Sequence, residues 1–177
     1  IRTELDAGLL AQSLIPAIEG DNAVFSDASR VALTGYIVCL QHTHGVNWTW
    51  KHLSECLEWS LEQTIDAFKQ FYRIGLKIFK EGSKSSDSVH FSLIANLSFL
   101  RQLAQAWPTS NDRLSLRKWI RDDSEEKPIL LLQVSKAYPT ISDAYICAVL
   151  NVLSKLILSP TFADSSTRSA AVQSQPQ

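Results

Sequence analysis

The chain has 177 residues with 45% hydrophobic and 20% charged side chains, which predicts one soluble globular domain, with or without appendages. Its 17 Lys and Arg against 18 Asp and Glu leave a net charge of −1, which excludes electrostatic steering of the whole molecule to DNA or an anionic membrane. Three scattered cysteines argue against a disulfide framework and favour a reducing cytoplasm, and the polar side chains of the longest uncharged run, residues 31–50, argue against a membrane span.

The first third of the sequence predicts three helices. An apolar repeat over residues 5–18 predicts the first, and the Gly-Asp-Asn break at residues 20–22 follows it. Ser26 is the predicted N-cap of the second helix, which is expected to end near Leu40. Thr49 is the predicted N-cap of a third, short helix.

The most regular apolar repeat predicts one long helix over residues 61–79. Ser60 and Gln63 have the spacing of a capping box, and Gly82 is placed to end the helix in a left-handed conformation. A second long helix is predicted over residues 89–107, and the short connection between them predicts antiparallel pairing through their apolar stripes. The first stripe consists of Leu61, Ile65, Phe68, Tyr72, Leu76 and Phe79.

The last third predicts a short helix after Ser115, an apolar strand over residues 129–134 and a final helix over residues 140–156. A single strand cannot satisfy its backbone groups alone, so this orphan strand is expected to pair outside the chain. The predicted fold is therefore mainly α, a bundle of about six or seven helices with one orphan strand. The start at Ile1 and the absence of Met lead us to expect a piece of a longer protein.

No catalytic, cofactor-binding or metal-binding residue is predicted. Residues 75–85 (GLKIFKEGSKS) approach a phosphate-binding loop, but the spacing of their glycines is wrong and they follow a helix instead of a strand. The chain also contains one group of possible metal ligands without the paired spacing of a closed zinc site, and we expect its histidines to be surface or half-buried side chains. That group consists of Cys39, His42, His44 and His52.

A basic stripe is the candidate binding surface, and two tryptophans before the third helix are candidate partner contacts. An alternative stays open for the stripe, because Glu62 and Asp66 precede it on the same face and this order of charges also suits an ordinary helix dipole. The tryptophans could equally pack in the core. The candidate DNA-binding or partner-binding residues are Lys69, Arg73, Lys77, Lys80, Lys84, Trp48 and Trp50.

Several segments resemble the TraD-like coupling proteins of type IV secretion and conjugation. Residues 114–120 (LSLRKWI), the apolar segment 129–133 (ILLLQ) and the helix after it resemble an element that precedes the acidic metal-binding motif of that family. Residues 11–16 (AQSLIP) and 22–30 (NAVFSDASR) resemble the entry into its all-α domain. The resemblance covers most of the chain up to residue 160.

The resemblance implies a division of the chain into segments. Residues 1–20 would be a helix flanking an insertion, and residues 21–113 would be the all-α domain. Residues 114–158 would supply a short helix, a strand and a helix to the nucleotide-binding domain of the parent ATPase. Composition predicts that residues 159–177 are a disordered tail.

The function that the resemblance implies is that of a non-catalytic cytoplasmic domain, which recruits the relaxosome, DNA or a secreted substrate protein to the motor ATPase. The chain has neither the phosphate-binding loop (Walker A) nor the acidic motif (Walker B), so ATP and Mg²⁺ are expected only in the parent. That parent is implied to be a hexamer anchored at the bacterial inner membrane, with this domain on the cytoplasmic face, whereas the isolated chain is expected to be monomeric.

Two other functions remain open on the sequence. The near-neutral charge also allows a generic α-helical adaptor that binds proteins without touching DNA. A piece of an enzyme with its own small-molecule pocket is the third possibility. Salt dependence of binding separates the first two, since phosphate contacts weaken steeply as salt rises.

Overall fold

The computed structural model describes residues 2–20, 23–106, 115–120, 129–136 and 139–158. It contains two compact units, Ile1–Asn111 and Asp112–Gln177. The division into the four segments predicted from the sequence stays a prediction, and the predicted tail lies outside the described residues.

The prediction of a mainly α fold is confirmed. In the first unit the α-helices are α1 (Glu4–Leu14), α2 (Ala23–His44), α3 (Trp50–Cys56), α4 (Leu61–Phe71), α5 (Lys84–Asn96) and α6 (Leu100–Ala106). Two 3₁₀ segments, Gly45–Asn47 and Arg73–Lys77, interrupt this series. In the second unit the helices are α7 (Leu116–Ile120) and α8 (Pro139–Ile157), which pack against each other.

Helix starts follow the capping signals of the sequence in two predicted places. Ser60 and Gln63 form the capping box of α4, with the Ser60 N–H donating to Gln63 Oε1 at 2.8 Å and the Gln63 N–H donating to Ser60 Oγ at 3.2 Å. Thr49 caps α3, where His52 completes the box by accepting from the Thr49 N–H at 3.1 Å. These bonds satisfy backbone donors that a helix start leaves without partners.

The start of α2 differs from its prediction. Ser26 is not the N-cap, because α2 begins at Ala23 and places Ser26 in its first turns. The Ser26 hydroxyl, 1% exposed, instead donates to the Pro16 carbonyl at 3.0 Å and ties the segment after α1 to α2. The helix also continues to His44, beyond the predicted end near Leu40.

Helix α2 is the centre of the first unit. Helices α1, α3, α4 and α5 all pack against it, and α6 packs against α3. The Tyr36 hydroxyl lies 3.0 Å from Thr64 Oγ1 of α4 in a buried hydrogen bond. By length and composition the stretch Ala23–Asn47 would suit a membrane span, but 61% of its apolar window is buried inside the fold, as expected of a core helix.

The predicted long helix over residues 61–79 is wrong, because the chain leaves the α-helix at Tyr72. Tyr72 has φ −147° and ψ 68°, and the Arg73–Lys77 3₁₀ segment follows it. This segment turns back over the ring of Phe68, and an added Cβ at Gly75 would overlap that ring. The close packing of Gly75 on Phe68 therefore accompanies the end of the helix, although the apolar repeat continues beyond Tyr72.

The predicted antiparallel pair is also wrong. The second repeat is divided between α5 and α6, and these helices pack against α2 and α3 instead of against a long partner. Leu97 and Leu100 lie at the division and are both fully buried. The apolar repeat thus marks residues that face the core, and it does not require one uninterrupted helix.

The predicted orphan strand is not formed. Residues 129–135 have no regular secondary structure, and the described residues include no strand with which they would pair. Ile129 and Leu131 are 75% and 87% exposed. A strand without a neighbour cannot satisfy its N–H and C=O groups, which explains its absence here. Pairing outside this chain stays a prediction.

Candidate functional site

The predicted basic stripe does not lie on one helix face. Lys69 is in the last turn of α4, Arg73 and Lys77 are in the 3₁₀ segment, Lys80 is in the turn after it, and Lys84 is the first residue of α5. All five side chains are exposed. We call residues 73–84 the basic loop.

Lys69 differs from the other four cations because it has a partner. Its ammonium lies 2.8 Å from Asp66 Oδ1, and this hydrogen bond and charge raise the pKa of Lys69. Among the described residues no carboxylate lies within 4.0 Å of Arg73, Lys77, Lys80 or Lys84. Residues 73–84 include a single acidic residue, Glu81. The basic loop therefore presents cations whose charge is not locally neutralised.

A buried serine holds the basic loop against α5. Ser86 is fully buried, and its hydroxyl donates to the Ile78 carbonyl at 3.0 Å and accepts from the Lys80 N–H at 2.9 Å. One side chain thus satisfies a donor and an acceptor of a non-helical backbone. Gly82 has the positive φ (+69°) expected from the sequence, but it lies in the turn before α5 and does not end the predicted helix, because α4 already ends at Phe71.

Phe79 attaches the same loop to the core. Its side chain is 2% exposed, and its ring centroid lies 5.7 Å from that of Phe68 and 6.5 Å from that of His90. Burial lowers the pKa of His90, which favours the neutral form of this imidazole under the loop. The charged side chains of the loop are therefore exposed on a backbone that is fixed from inside.

We expect Ser86→Ala to lower the free energy of unfolding by about 1–3 kcal/mol, because it leaves the Lys80 N–H and the Ile78 carbonyl without their partner. Urea unfolding followed by circular dichroism measures the change. Ser85→Ala is the matched control, since Ser85 is exposed and bonds only to Ser83 among the described residues. An equal effect of both substitutions would contradict the bridging role.

The two tryptophans lie elsewhere in the first unit. Trp48 follows the Gly45–Asn47 segment, Trp50 begins α3, and their half-buried rings meet edge to face at 6.2 Å. The main packing partners of α3 are α2 and α6. The structure does not bring these tryptophans together with the basic loop in one contact group, so their role as partner contacts stays a prediction.

The four possible metal ligands make different contacts and do not form one cluster among the described residues. Cys39 is buried, and burial raises its pKa to about 11, as burial raises that of Cys56 to about 12. His42 stacks on Phe71, and the rings of His44 and His52 lie 4.2 Å apart. Within the part of the chain that the structure describes, no three His, Cys, Asp or Glu side chains are arranged to hold a metal ion.

A groove of about 530 Å³ between the start of α2 and the outer face of α5 was not predicted from the sequence. Its lining includes two exposed aromatic rings, Phe25 and Phe91, together with Ile18. The sequence carried one signal for it, since Phe91 does not belong to the apolar repeat of α5 that begins at Val89 and continues to Leu93 and Leu97. An aromatic residue outside the core repeat indicates a surface position.

One comparison with known proteins matches nearly the whole chain. The family model described as the type IV secretion-system coupling protein DNA-binding domain matches residues 1–169. No curated protein and no solved structure shows significant similarity to the chain. The matched range includes both compact units up to the last helix, and with it the basic loop and the groove.

Proposed function

Because the chain belongs to the family of type IV secretion-system coupling protein DNA-binding domains, we propose that it binds DNA through its basic loop and presents it to a motor ATPase. The chain would act by binding and without chemistry of its own. ATP and Mg²⁺ would be bound by the parent protein.

The unpaired cations of the basic loop are the observation that carries this proposal. Arg73, Lys77, Lys80 and Lys84 are exposed within a span of 12 residues and have no ion-pair partner among the described residues. Exposed Lys and Arg side chains bind phosphate by releasing the counterions of DNA. Because there are only four such cations and the net charge of the chain is −1, we expect DNA to contact a small local patch and not a large basic face.

The wider setting follows the same proposal. The parent would be a hexameric, membrane-anchored coupling protein, and this domain would lie at the cytoplasmic face of the bacterial inner membrane. There it would meet the relaxosome or a secreted substrate protein as well as DNA. The isolated chain would be monomeric.

The triple substitution Arg73→Glu, Lys77→Glu and Lys80→Glu tests the proposal. We expect it to weaken duplex DNA binding by at least about tenfold near 0.1 M salt and to reduce the slope of log K against log salt by about 3. Fluorescence anisotropy with a labelled duplex at several salt concentrations measures both quantities. Lost phosphate contacts are the physical reason for both effects.

A matched control reverses three exposed cations outside the loop and changes the net charge by the same amount. We expect this variant to keep the salt slope of the unmodified protein. If both variants lose affinity equally, net charge and not the loop governs binding, and the proposed site is wrong. The control substitutions are Arg2→Glu, Lys136→Glu and Lys155→Glu, at three exposed cations that have no ion-pair partner among the described residues.

The adaptor function is the second candidate, and the near-neutral charge of the chain favours it. An adaptor would bind proteins without contacting phosphates. Absence of salt-sensitive DNA binding by the unmodified protein would support the adaptor and contradict the proposal above.

A further inference from the structure

The groove beside the basic loop combines aromatic, polar and acidic side chains. Apart from Ile18, Phe25 and Ser26, its lining comes from one face of α5, where the helical spacing aligns residues 87–88, 91–92 and 96. The volume of about 530 Å³ is several times that of a single planar heterocycle. The groove belongs entirely to the first compact unit.

The two aromatic rings of the groove are not used by the core. Phe91 is 75% exposed and Phe25 is 38% exposed, whereas Val89 and Leu93 on the neighbouring face of α5 are buried. Among the described residues neither phenylalanine ring contacts another aromatic ring. Part of each ring is therefore exposed at the groove, where a planar ligand would gain apolar contact and, above all on Phe91, stacking.

The polar side chains of the groove are suited to the edge of a base. Asp87 supplies a carboxylate acceptor, Ser92 a hydroxyl, and Asn96 an amide that both donates and accepts. Carboxylates accept from exocyclic amino groups such as that of cytosine. Ser92 Oγ already accepts from the Asn96 amide at 3.4 Å. A purely apolar protein segment would still bury the Asp87 carboxylate and the Asn96 carbonyl oxygen, which is unfavourable unless they find partners.

The groove and the end of the basic loop share helix α5. Lys84 begins α5, and its carbonyl accepts from the Ser88 hydroxyl at 3.0 Å, so Lys84 lies one turn before the groove residues on the same helix. A nucleotide in the groove would thus have a phosphate-binding cation within one helical turn. Aromatic side chains next to a cationic track are the usual arrangement for binding single strands.

We propose that this groove is a stacking site for an unpaired nucleobase, formed by Phe25 and Phe91 with Asp87, Ser92 and Asn96 at the base edge. The inference rests on the proposed DNA-binding function and adds that the chain prefers single-stranded DNA. In a duplex the bases already stack on each other, so their faces are not available to the groove.

The test compares a labelled single-stranded oligonucleotide of mixed sequence with its duplex in anisotropy titrations. We expect Phe91→Leu to weaken single-strand binding about tenfold and to leave duplex binding unchanged, because leucine keeps apolar volume but loses the ring face. Phe91→Trp should retain or improve single-strand binding. Val24→Ala is the control, since Val24 is 72% exposed next to Phe25 but does not line the groove.

A second readout uses 2-aminopurine in the single strand, whose fluorescence should change on binding to the unmodified protein and not on binding to the Phe91→Leu variant. Unchanged single-strand affinity in that variant overturns the stacking site but leaves the proposed function intact, and is the result expected if the groove serves a protein segment. Equal losses for single strand and duplex also overturn it. Failure of the unmodified protein to bind either form of DNA overturns both proposals.

Discussion

Replacing Phe68 with alanine is expected to lower the free energy of unfolding by about 3–5 kcal/mol, a large part of the stability of a domain this size. Phe68 is fully buried, and its ring centroid lies within 5.7 Å of those of Tyr36, Tyr72 and Phe79. Removing the ring therefore leaves a cavity at the point where α2, α4 and the basic loop meet. Thermal or urea unfolding measures the loss.

Phe91→Ala is the matched control, because it makes the same chemical change at a side chain that is 75% exposed. We expect its effect on stability to be less than about 0.5 kcal/mol. A similar loss in the two variants would mean that Phe68 is not the packing centre of the first unit. The control also shows whether changes at Phe91 leave the fold intact.

Replacing Gly75 with alanine is expected to lower the free energy of unfolding by about 1–3 kcal/mol and to displace the basic loop. A Cβ at this position would overlap the buried ring of Phe68, which is also held against Gly35 of α2 on another side. The ring therefore has little freedom to move away. Unfolding in urea measures stability, and the DNA titration described above measures the displacement of the loop.

Gly8→Ala provides the opposite case. Gly8 lies within α1, and a Cβ there would meet no atom within 4 Å. Alanine favours the helix over glycine by about 0.5–1 kcal/mol, so this variant should be more stable than the unmodified protein. If Gly75→Ala were also neutral or stabilising, the close approach to Phe68 would not constrain the loop.

The sequence was sufficient to predict most of the helices and where several of them begin. Local signals determine these features: Ser60 and Gln63 are three residues apart, and Gly82 adopts the positive φ expected of it. Apolar spacing also identified Phe68 and Phe79 as inward-facing residues, which the structure confirms.

The sequence could not reveal the break at Tyr72. The apolar positions 72, 76 and 79 continue the helical repeat, so periodicity alone favours one long helix. What ends the helix is the packing of Gly75 on Phe68, a contact between side chain and backbone that no spacing records. For the same reason the cations were expected along one helix, whereas the structure divides them among α4, the 3₁₀ segment, the turn after it and the start of α5.

The arrangement of the candidate site could not be predicted from the sequence, and the binding role of its residues stays a prediction. Charge and helical spacing singled out the basic residues, but the role of Ser86 depends on buried hydrogen bonds to backbone groups six and eight residues away. The groove depends on the approach of α2 to α5, whose first residues, Ala23 and Lys84, are 61 positions apart in the sequence. Long-range approach of this kind follows from the packed core and is absent from local patterns.

The basic loop separates the positions that fix its backbone from those that carry its charge. The backbone is fixed by the close approach of Gly75 to Phe68, by the buried ring of Phe79 and by the hydrogen bonds of Ser86. Lys77 and Lys80 lie between these positions and are exposed. If the basic loop binds DNA as proposed, substitutions at the outward positions would change DNA affinity without disturbing the fold. Natural homologues that handle different cargo should vary most at the lysines and least at their inward neighbours, and a library randomised only at those outward positions should yield mostly folded proteins.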